Sequence, residues 1–232
     1  MVLSALRTGY IEGKGPFYSQ PRAPIHPAPR PELLDNFVSV GMSPDSAAMA
    51  GRLGAKLLSF TNKPLEQMRS VYDPYAEAFR ASHPGREPHY VMADFFMVRE
   101  SADEALDLAM KYVVDYFHTV VRHYEMTGSH FETAQGYASY ASDAAALRAS
   151  SAEAAAEAYI HAQMGIGSPQ QVLDKIEQRV QALGPEVSLA GCFFYSSMPK
   201  ELAQSSMRLF SEKCIREAKA MVAGKVCERS AA

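Results

Sequence analysis

The feature that most constrains the fold is a short unit in which a strand, a capped helix and a second strand follow one another with almost no connecting residues. It runs from Asn36 to Phe60 with the sequence NFVSVGMSPDSAAMAGRLGAKLLSF. Ser43 is a strong N-cap, Pro44 suits the first helical position, and Gly54 ends the helix. Units of this kind pair their strands in parallel, which predicts an α/β fold with a parallel sheet.

Two further cycles of helix and strand follow this unit. A helix that we expect to be interrupted near Pro74 precedes the strand HYVMADFFMVRE, and a long helix then opens with the capping box Ser101 to Glu104. The third cycle repeats this capping with Ser168 and Gln171 and leads to the strand EVSLAGCFFY and a closing helix. About four strands are predicted, half of the eight in a closed (β/α) barrel.

Two segments fall outside these cycles. Within residues 1–35, the first 14 are predicted to be the end of a helix. The rest is predicted to be an extended arm, because its dense prolines forbid helix and interior strand. Residues 127–160 are rich in Ala and Ser and weakly patterned, so we expect a mobile excursion with some helix of its own. We expect residues 1–232 to form a single α/β domain.

Composition and charge exclude several classes of function. A formal net charge of -3 gives no electrostatic reason to expect a nucleic acid or a membrane surface as partner. No stretch approaches the ~20 apolar residues of a membrane span, and the N-terminus lacks the core of a signal peptide. The three cysteines form no CxxC pair, so neither a metal site nor a disulfide scaffold is indicated. These observations predict a cytoplasmic protein.

Several motifs, taken in order, resemble the bacterial luciferase-like flavin monooxygenases. They are SPDSAAMAGRLGA from Ser43, GSPQQVLDKI from Gly167, and the last strand followed by SSMPKELAQSSMRLFSEK from Ser196. The segment FETAQGYASYAS from Phe131 is similar to an excursion in members that act on hydrophobic substrates. The resemblance covers about residues 5–218. It implies parallel βα units of a TIM-type (β/α)8 barrel, of which the chain matches only the C-terminal half.

The resemblance also implies an activity and its cofactor. It implies oxygen insertion from O2 into a small hydrophobic organic substrate, with reduced FMN supplied by a separate flavin reductase. Most flavin-phosphate ligands of the family lie in the unmatched N-terminal half. The resemblance therefore leaves open a truncated coding sequence, a second polypeptide that supplies the rest, and natural shortening.

Two other functions stay open beside the FMN enzyme. One is a non-catalytic half-barrel, and the other is an oxidoreductase that uses a deazaflavin. An isolated half-barrel has unpaired sheet edges, and unpaired edges recruit partners. We therefore expect a homodimer or a complex with a complementary half-barrel chain, and only weak FMN binding by the chain alone.

Candidate site residues lie near the carboxyl ends of the predicted strands, where barrel enzymes gather their reactive groups. Asp94, within the third strand, is the candidate catalytic base or flavin partner, with a structural salt bridge as the alternative. For Ser43 the alternative is plain helix capping. The candidate flavin ligands are Gly41, Met42, Ser43, Tyr195, Ser196 and Ser197, and the candidate substrate-pocket residues are Ser59, Phe60 and Phe96.

Overall fold

The structure is a computed structural model that describes residues 1–133 and 137–230. The chain consists of two compact units, Met1–Ser39 and Val40–Ala232. None of the helices in the described ranges is both long and apolar enough to cross a membrane.

The first unit is a short helix followed by a β-hairpin. Helix α1 (Val2–Thr8) ends at Gly9, which has the left-handed φ of 75° that glycine adopts readily. Strands β1 (Tyr10–Gly15) and β2 (Tyr18–Pro24) pair antiparallel, and a short 3-10 turn (Pro31–Leu33) follows. The prediction of helix through residue 14 is therefore wrong beyond Thr8. Of the proline-rich stretch, Tyr18–Pro24 is extended as predicted, and a hairpin admits its prolines because both strands are edges.

From residue 38 onward, strands and helices alternate along the chain. The strands are β3 (Val38–Val40), β4 (Lys56–Phe60), β5 (Tyr90–Val98), β6 (Gly165–Gly167) and β7 (Val187–Cys192). The helices are α2 (Pro44–Leu53), α3 (Leu65–Ser82), α4 (Ala102–His123), α5 (His130–Thr133), α6 (Ala138–Ala149), α7 (Ala152–Ala162), α8 (Pro169–Leu183), α9 (Lys200–Lys213) and α10 (Ile215–Ser230).

Four of these elements differ from the predictions. Strand β6 was not predicted, and the closing helix is divided at Cys214 into α9 and α10. Helix α3 runs through Pro74 without the expected interruption. Tight packing against α2 supports it there, since a Cβ on Gly51 would lie only 2.5 Å from the carbonyl oxygen of Tyr75.

The strands form one sheet in the order β3-β4-β5-β6, and β7 also pairs with β5. Strand β5 is parallel to β4, to β6 and to β7. This confirms the predicted parallel α/β sheet, including the strands expected near residues 90–98 and 187–195. In register, Leu57 lies beside Tyr90 and Ser188 lies beside Val91.

The two faces of this sheet differ in their covering. One face, named the helix-side face, packs against α8 and α9 through Phe96. On this face, Leu57, Met92 and Asp94 are between 0% and 2% exposed. On the other face, α4 and α7 cover the carboxyl half of β5 through Phe95 and Met97. The rest of that second face is half-buried or exposed, and we name it the open face. It comprises Leu58, Phe60, Val91, Ala93, Ser188 and Ala190.

Candidate functional site

The turn between β3 and α2 lies at the carboxyl end of the sheet and contains three of the candidate flavin ligands. Ser43 Oγ accepts a hydrogen bond from Ser46 N at 3.3 Å, and Ser46 Oγ accepts one from Ser43 N at 3.1 Å. Ser43 therefore caps α2 in a reciprocal capping box, which is the alternative to a flavin contact. A Cβ on Gly41 would lie 2.9 Å from Leu57 Cδ1, so the turn packs directly on the sheet.

A cavity of about 210 Å³ opens beside this turn. Met42 and Pro44 line it from the turn, and Lys63 lines it from the loop between β4 and α3. Asp143 of α6 completes the wall, and its Oδ1 lies 2.5 Å from Lys63 Nζ. The excursion predicted for residues 127–160 is therefore helical at this point and is joined to the cavity by an ion pair.

The two candidate substrate-pocket residues of β4 face opposite sides of the sheet. Ser59 is 1% exposed and donates a hydrogen bond to the Tyr72 hydroxyl oxygen of α3 at 3.1 Å. Phe60 is 52% exposed on the open face, and its backbone N donates to Met42 Sδ at 3.1 Å. Phe60 is therefore placed where a ligand could reach it, and it is tied to the cavity through Met42.

Phe96 lies on the helix-side face, away from Phe60. It is 1% exposed, and its ring centroid is 4.8 Å from that of Phe193 and 4.9 Å from that of Phe210. These contacts make it a core residue beneath α8 and α9. A role in the substrate pocket stays a prediction.

Asp94 lies in a buried polar cluster on the helix-side face. Its Oδ2 accepts from Thr61 Oγ1 at 2.9 Å, and its Oδ1 accepts from Met164 N at 2.8 Å. Arg179 Nη2 lies 3.6 Å from the same Oδ1. Burial raises the pKa of Asp94, while Arg179 and both hydrogen bonds oppose that rise. These partners favour the structural salt bridge, and the catalytic role stays a prediction.

Gln163 extends this cluster, and no motif or spacing in the sequence indicated it. Its Oε1 accepts from Phe95 N at 3.0 Å, and its Nε2 donates to the carbonyl oxygens of Thr61 at 2.5 Å and Tyr159 at 3.2 Å. The amide thus joins β5, the loop after β4 and the end of α7. Arg179 Nη1 is buried without a hydrogen-bond partner among the described residues.

The candidate residues that follow β7 form a second group. Tyr195 is 6% exposed, and its ring packs edge-on against Phe95 with centroids 4.7 Å apart. Ser196 has a φ of 54°, and its hydroxyl donates to Asp115 of α4, while Ser197 is exposed. β4 and β5 separate β3 from β7, so this group and the β3–α2 turn follow strands that are not neighbours in the sheet.

An aromatic cluster surrounds Phe95 at the carboxyl end of β5. The ring centroid of Phe95 is 4.8 Å from that of Tyr116, and that of Phe117 is 5.0 Å from that of Tyr159. Tyr116 and Phe117 of α4 are half-buried, and Tyr116 packs against the core cluster around Phe95. Across residues 1–133 and 137–230, no group of three or more His, Cys, Asp or Glu side chains is placed to hold a metal ion.

Three solved structures show which fold this arrangement belongs to. The monooxygenase RslO1 from Streptomyces bottropensis is 17% identical with a TM-score of 0.57, over 93% of this chain and 59% of its own. The oxygenating constituent of 3,6-diketocamphane monooxygenase from Pseudomonas putida, solved with FMN, is 16% identical with a TM-score of 0.58, over 90% and 58%. An F420-dependent secondary alcohol dehydrogenase is 16% identical with a TM-score of 0.55, over 92% and 60%.

The chain spans less than two thirds of the length of each of these proteins, between 58% and 60%. No curated protein sequence matches it. The profile of the family described as luciferase-like monooxygenase matches residues 1–186. That match covers most of the chain, and the parallel sheet and the solved structures agree with it. The chain therefore belongs to the luciferase-like monooxygenase family.

Proposed function

We propose that the chain forms part or all of an FMN-dependent monooxygenase or oxidoreductase of the luciferase-like class. The observation that carries this proposal is the cavity at the carboxyl end of the sheet. There the β3–α2 turn, the loop after β4 and α6 meet in a chain of this family. Ligands of parallel α/β folds bind at this end of the strands.

The cavity suits the phosphate end of a flavin better than the whole molecule. In the first turn of α2, Pro44 has no N–H and Ser46 N–H is already bonded to Ser43, which leaves Asp45 N–H for an anion. Lys63 lies at the cavity wall, where a phosphate would compete with the carboxylate of Asp143 for its ammonium group. A volume of about 210 Å³ is below the ~300 Å³ at which ligand pockets begin, so the ring system would lie outside it.

Outside the cavity, exposed and half-buried aromatic side chains are available to contact a flavin ring. Phe60 lies beside Met42, and Tyr116 and Tyr159 flank Phe95 farther along the sheet. The flavin would supply the redox chemistry, while these side chains would orient it and exclude water. Reduced FMN from a separate reductase, O2 and a small hydrophobic organic substrate complete the proposed reaction.

The proposal predicts weak FMN binding that depends on the phosphate group. We expect a Kd for FMN well above 1 μM and roughly tenfold weaker binding of riboflavin, which lacks phosphate, in fluorescence titrations. Lys63→Gln should remove that difference. Arg69→Gln is the matched control, because Arg69 pairs with Asp73 within α3.

One result would contradict the proposed phosphate site, and another would contradict the expected half-barrel. Equal affinities for FMN and riboflavin would exclude a phosphate site at Lys63. A Kd for FMN of 1 μM or tighter would show that the described residues form a complete pocket, against the expected half-barrel.

A deazaflavin enzyme is the second candidate, and the likeness to the F420-dependent dehydrogenase supports it. A parallel titration with F420 discriminates the two cofactors by their relative affinity. A non-catalytic half-barrel is supported by the open face, which would join a second copy or a complementary half-barrel chain. Light scattering after gel filtration measures self-association. A monomer that binds neither FMN nor F420 contradicts both enzyme functions and the pairing with a second copy.

A further inference from the structure

A second polar cluster lies at the amino end of the sheet, opposite the proposed flavin site. His89 immediately precedes β5, and Glu186 and Ser188 lie at the start of β7. Ser188 Oγ is 2.8 Å from His89 Nε2, and His89 Nδ1 is 3.1 Å from Glu186 Oε2. The parallel pairing of β5 with β7 brings these residues together although 97 and 99 positions separate them from His89.

The partners of the imidazole define which ring nitrogen carries the hydrogen. A carboxylate only accepts, so Nδ1 must donate to Glu186. In the neutral ring, Nε2 then keeps the lone pair that accepts the Ser188 hydroxyl hydrogen. The cluster therefore has the order of nucleophile, base and orienting acid that activates a serine for acyl transfer.

Buried groups hold the base and the acid in place. The hydroxyl oxygen of Tyr75, which is 0% exposed, lies 3.0 Å from both the N and the O of His89. The backbone N of Tyr90 donates to the carbonyl oxygen of Glu186 at 2.9 Å. Hydrogen bonds thus hold the backbones of both residues in place.

The cluster is also reachable from solvent. Ser188 is exposed on the open face, and the side chains of His89 and Glu186 are 22% and 46% exposed. The backbone N of Tyr90 donates to the carbonyl oxygen of Glu186, so the backbone N–H and C=O groups of the even-numbered residues of β7 point to β5. Leu189 N–H therefore points to the opposite edge of β7. No strand in the described ranges pairs with that edge. Leu189 N–H is therefore the candidate donor for an oxyanion beside Ser188.

We propose that Ser188, His89 and Glu186 form a hydrolytic triad for small esters with a short apolar acyl group. Ser188 Oγ forms a bond to the ester carbonyl carbon while its proton passes to His89 Nε2. The ester C–O bond then breaks, and the departing alcohol takes that proton. Val91 and Ala190 lie beside Ser188 on the same face and give the acyl chain an apolar surface.

The second half of the reaction restores the serine. Water attacks the acyl carbon and gives a proton to His89, and His89 returns a proton to Ser188 Oγ as the carboxylic acid leaves. Ester and water become acid and alcohol, so no oxidant or reductant is needed. Glu186 stays ionised throughout and stabilises the imidazolium.

Hydrolysis of p-nitrophenyl acetate by the whole chain, without any flavin, tests the triad. We expect Ser188→Ala to reduce the rate to that of buffer and His89→Ala to reduce it by at least ~10²-fold. Glu186→Gln keeps the shape but removes the charge, and we expect a loss of roughly tenfold or more. Ser82→Ala, which removes an exposed serine at the end of α3, is the matched control and should keep the full rate.

Labelling with a fluorophosphonate, followed by peptide mass spectrometry, gives a readout that a structural role would not change. We expect the label on Ser188, and we expect His89→Ala to abolish it. Should His89→Ala fail to fold, Ser188→Ala and Glu186→Gln, checked by circular dichroism, decide the matter. Unlabelled Ser188, or a folded Ser188→Ala protein with the original rate, overturns the proposal.

Discussion

The helix-side face and the open face of the sheet handle polar groups in different ways. On the helix-side face, Asp94 is 2% exposed and both of its oxygens are bonded to Thr61 and Met164. On the open face, Ser188 is exposed, and its hydroxyl contacts a partly exposed His89. The first arrangement joins segments of the fold, whereas the second leaves a nucleophile within reach of a substrate.

The contrast distinguishes residues that stabilise the fold from residues that are available to a substrate. A buried carboxylate survives only with partners that compensate its lost hydration, so such a cluster specifies structure. A half-exposed cluster needs no such compensation and contributes little to stability. Substitutions on the two faces should therefore differ strongly in their effect on the free energy of unfolding.

The largest expected effect is that of Asp94→Ala. We expect a loss of ~3–5 kcal/mol in the free energy of unfolding, because Arg179 would keep a buried charge without its carboxylate. Urea unfolding measures this change. Asp73→Ala, which breaks the exposed ion pair with Arg69, is the control and should cost less than ~1 kcal/mol. Equal losses for the two variants would reopen the catalytic role of Asp94.

A matched pair of apolar truncations on β4 follows in size. Leu57 is 0% exposed on the helix-side face, whereas Phe60 is 52% exposed on the open face. We expect Leu57→Ala to cost ~2–5 kcal/mol and Phe60→Ala less than ~1 kcal/mol, although phenylalanine is the larger side chain. Thermal and urea unfolding at several protein concentrations measure both. A large, concentration-dependent loss for Phe60→Ala would show that a second copy covers the open face.

Local chemistry made much of the fold predictable. The strand–helix–strand unit from residue 36 to residue 60 has a proline and caps at fixed positions, and the structure forms it as expected. Ser168 and Gln171 form the predicted reciprocal capping box of α8. Ser101 caps α4, but Glu104 pairs with Arg99 instead of completing the box. Charge partners from outside the helix thus override a local motif.

The clusters, by contrast, depend on residues that are far apart in the chain. Gln163 bonds to Thr61 across 102 positions and Ser188 to His89 across 99, so no spacing rule connects them. Successive side chains of a strand point to opposite faces of the sheet, so the sequence alone places Ser59 and Phe60 on opposite faces. It does not say which face helices cover. That depends on tertiary packing, which is why Ser59 and Phe96 were predicted beside Phe60.

The pH dependence of stability offers a finer test of the helix-side face. Burial raises the pKa of Tyr72 from 10.0 to about 12. The stability that its neutral form contributes is fully present below pH 10 and is lost as the pH rises through about 12. Across that window, Tyr72→Phe should reduce the fall in the free energy of unfolding by up to ~1.4 kcal/mol per pH unit. An unchanged slope would show that water reaches this hydroxyl.

The free energy of unfolding of Tyr72→Phe at pH 7 is the reference for this test. The substitution removes the acceptor of the buried Ser59 hydroxyl, which should cost ~1–3 kcal/mol. A second buried tyrosine, Tyr75, also has its pKa raised to about 12 by burial, so part of the alkaline slope should remain in Tyr72→Phe.

The smallest expected effect concerns the ion pair that joins α6 to the loop after β4. The side chains of Lys63 and Asp143 are 32% and 28% exposed, so breaking the pair should cost less than ~1 kcal/mol of global stability. Local opening responds more visibly, because α6 has little buried apolar surface of its own. We expect amide hydrogens of residues 137–149 to exchange faster than those of β7, and Lys63→Gln to accelerate them roughly two- to fivefold while β7 stays unchanged. Arg69→Gln is again the control, and equal protection of α6 and β7 in the unmodified chain would remove the idea that this excursion opens over the cavity.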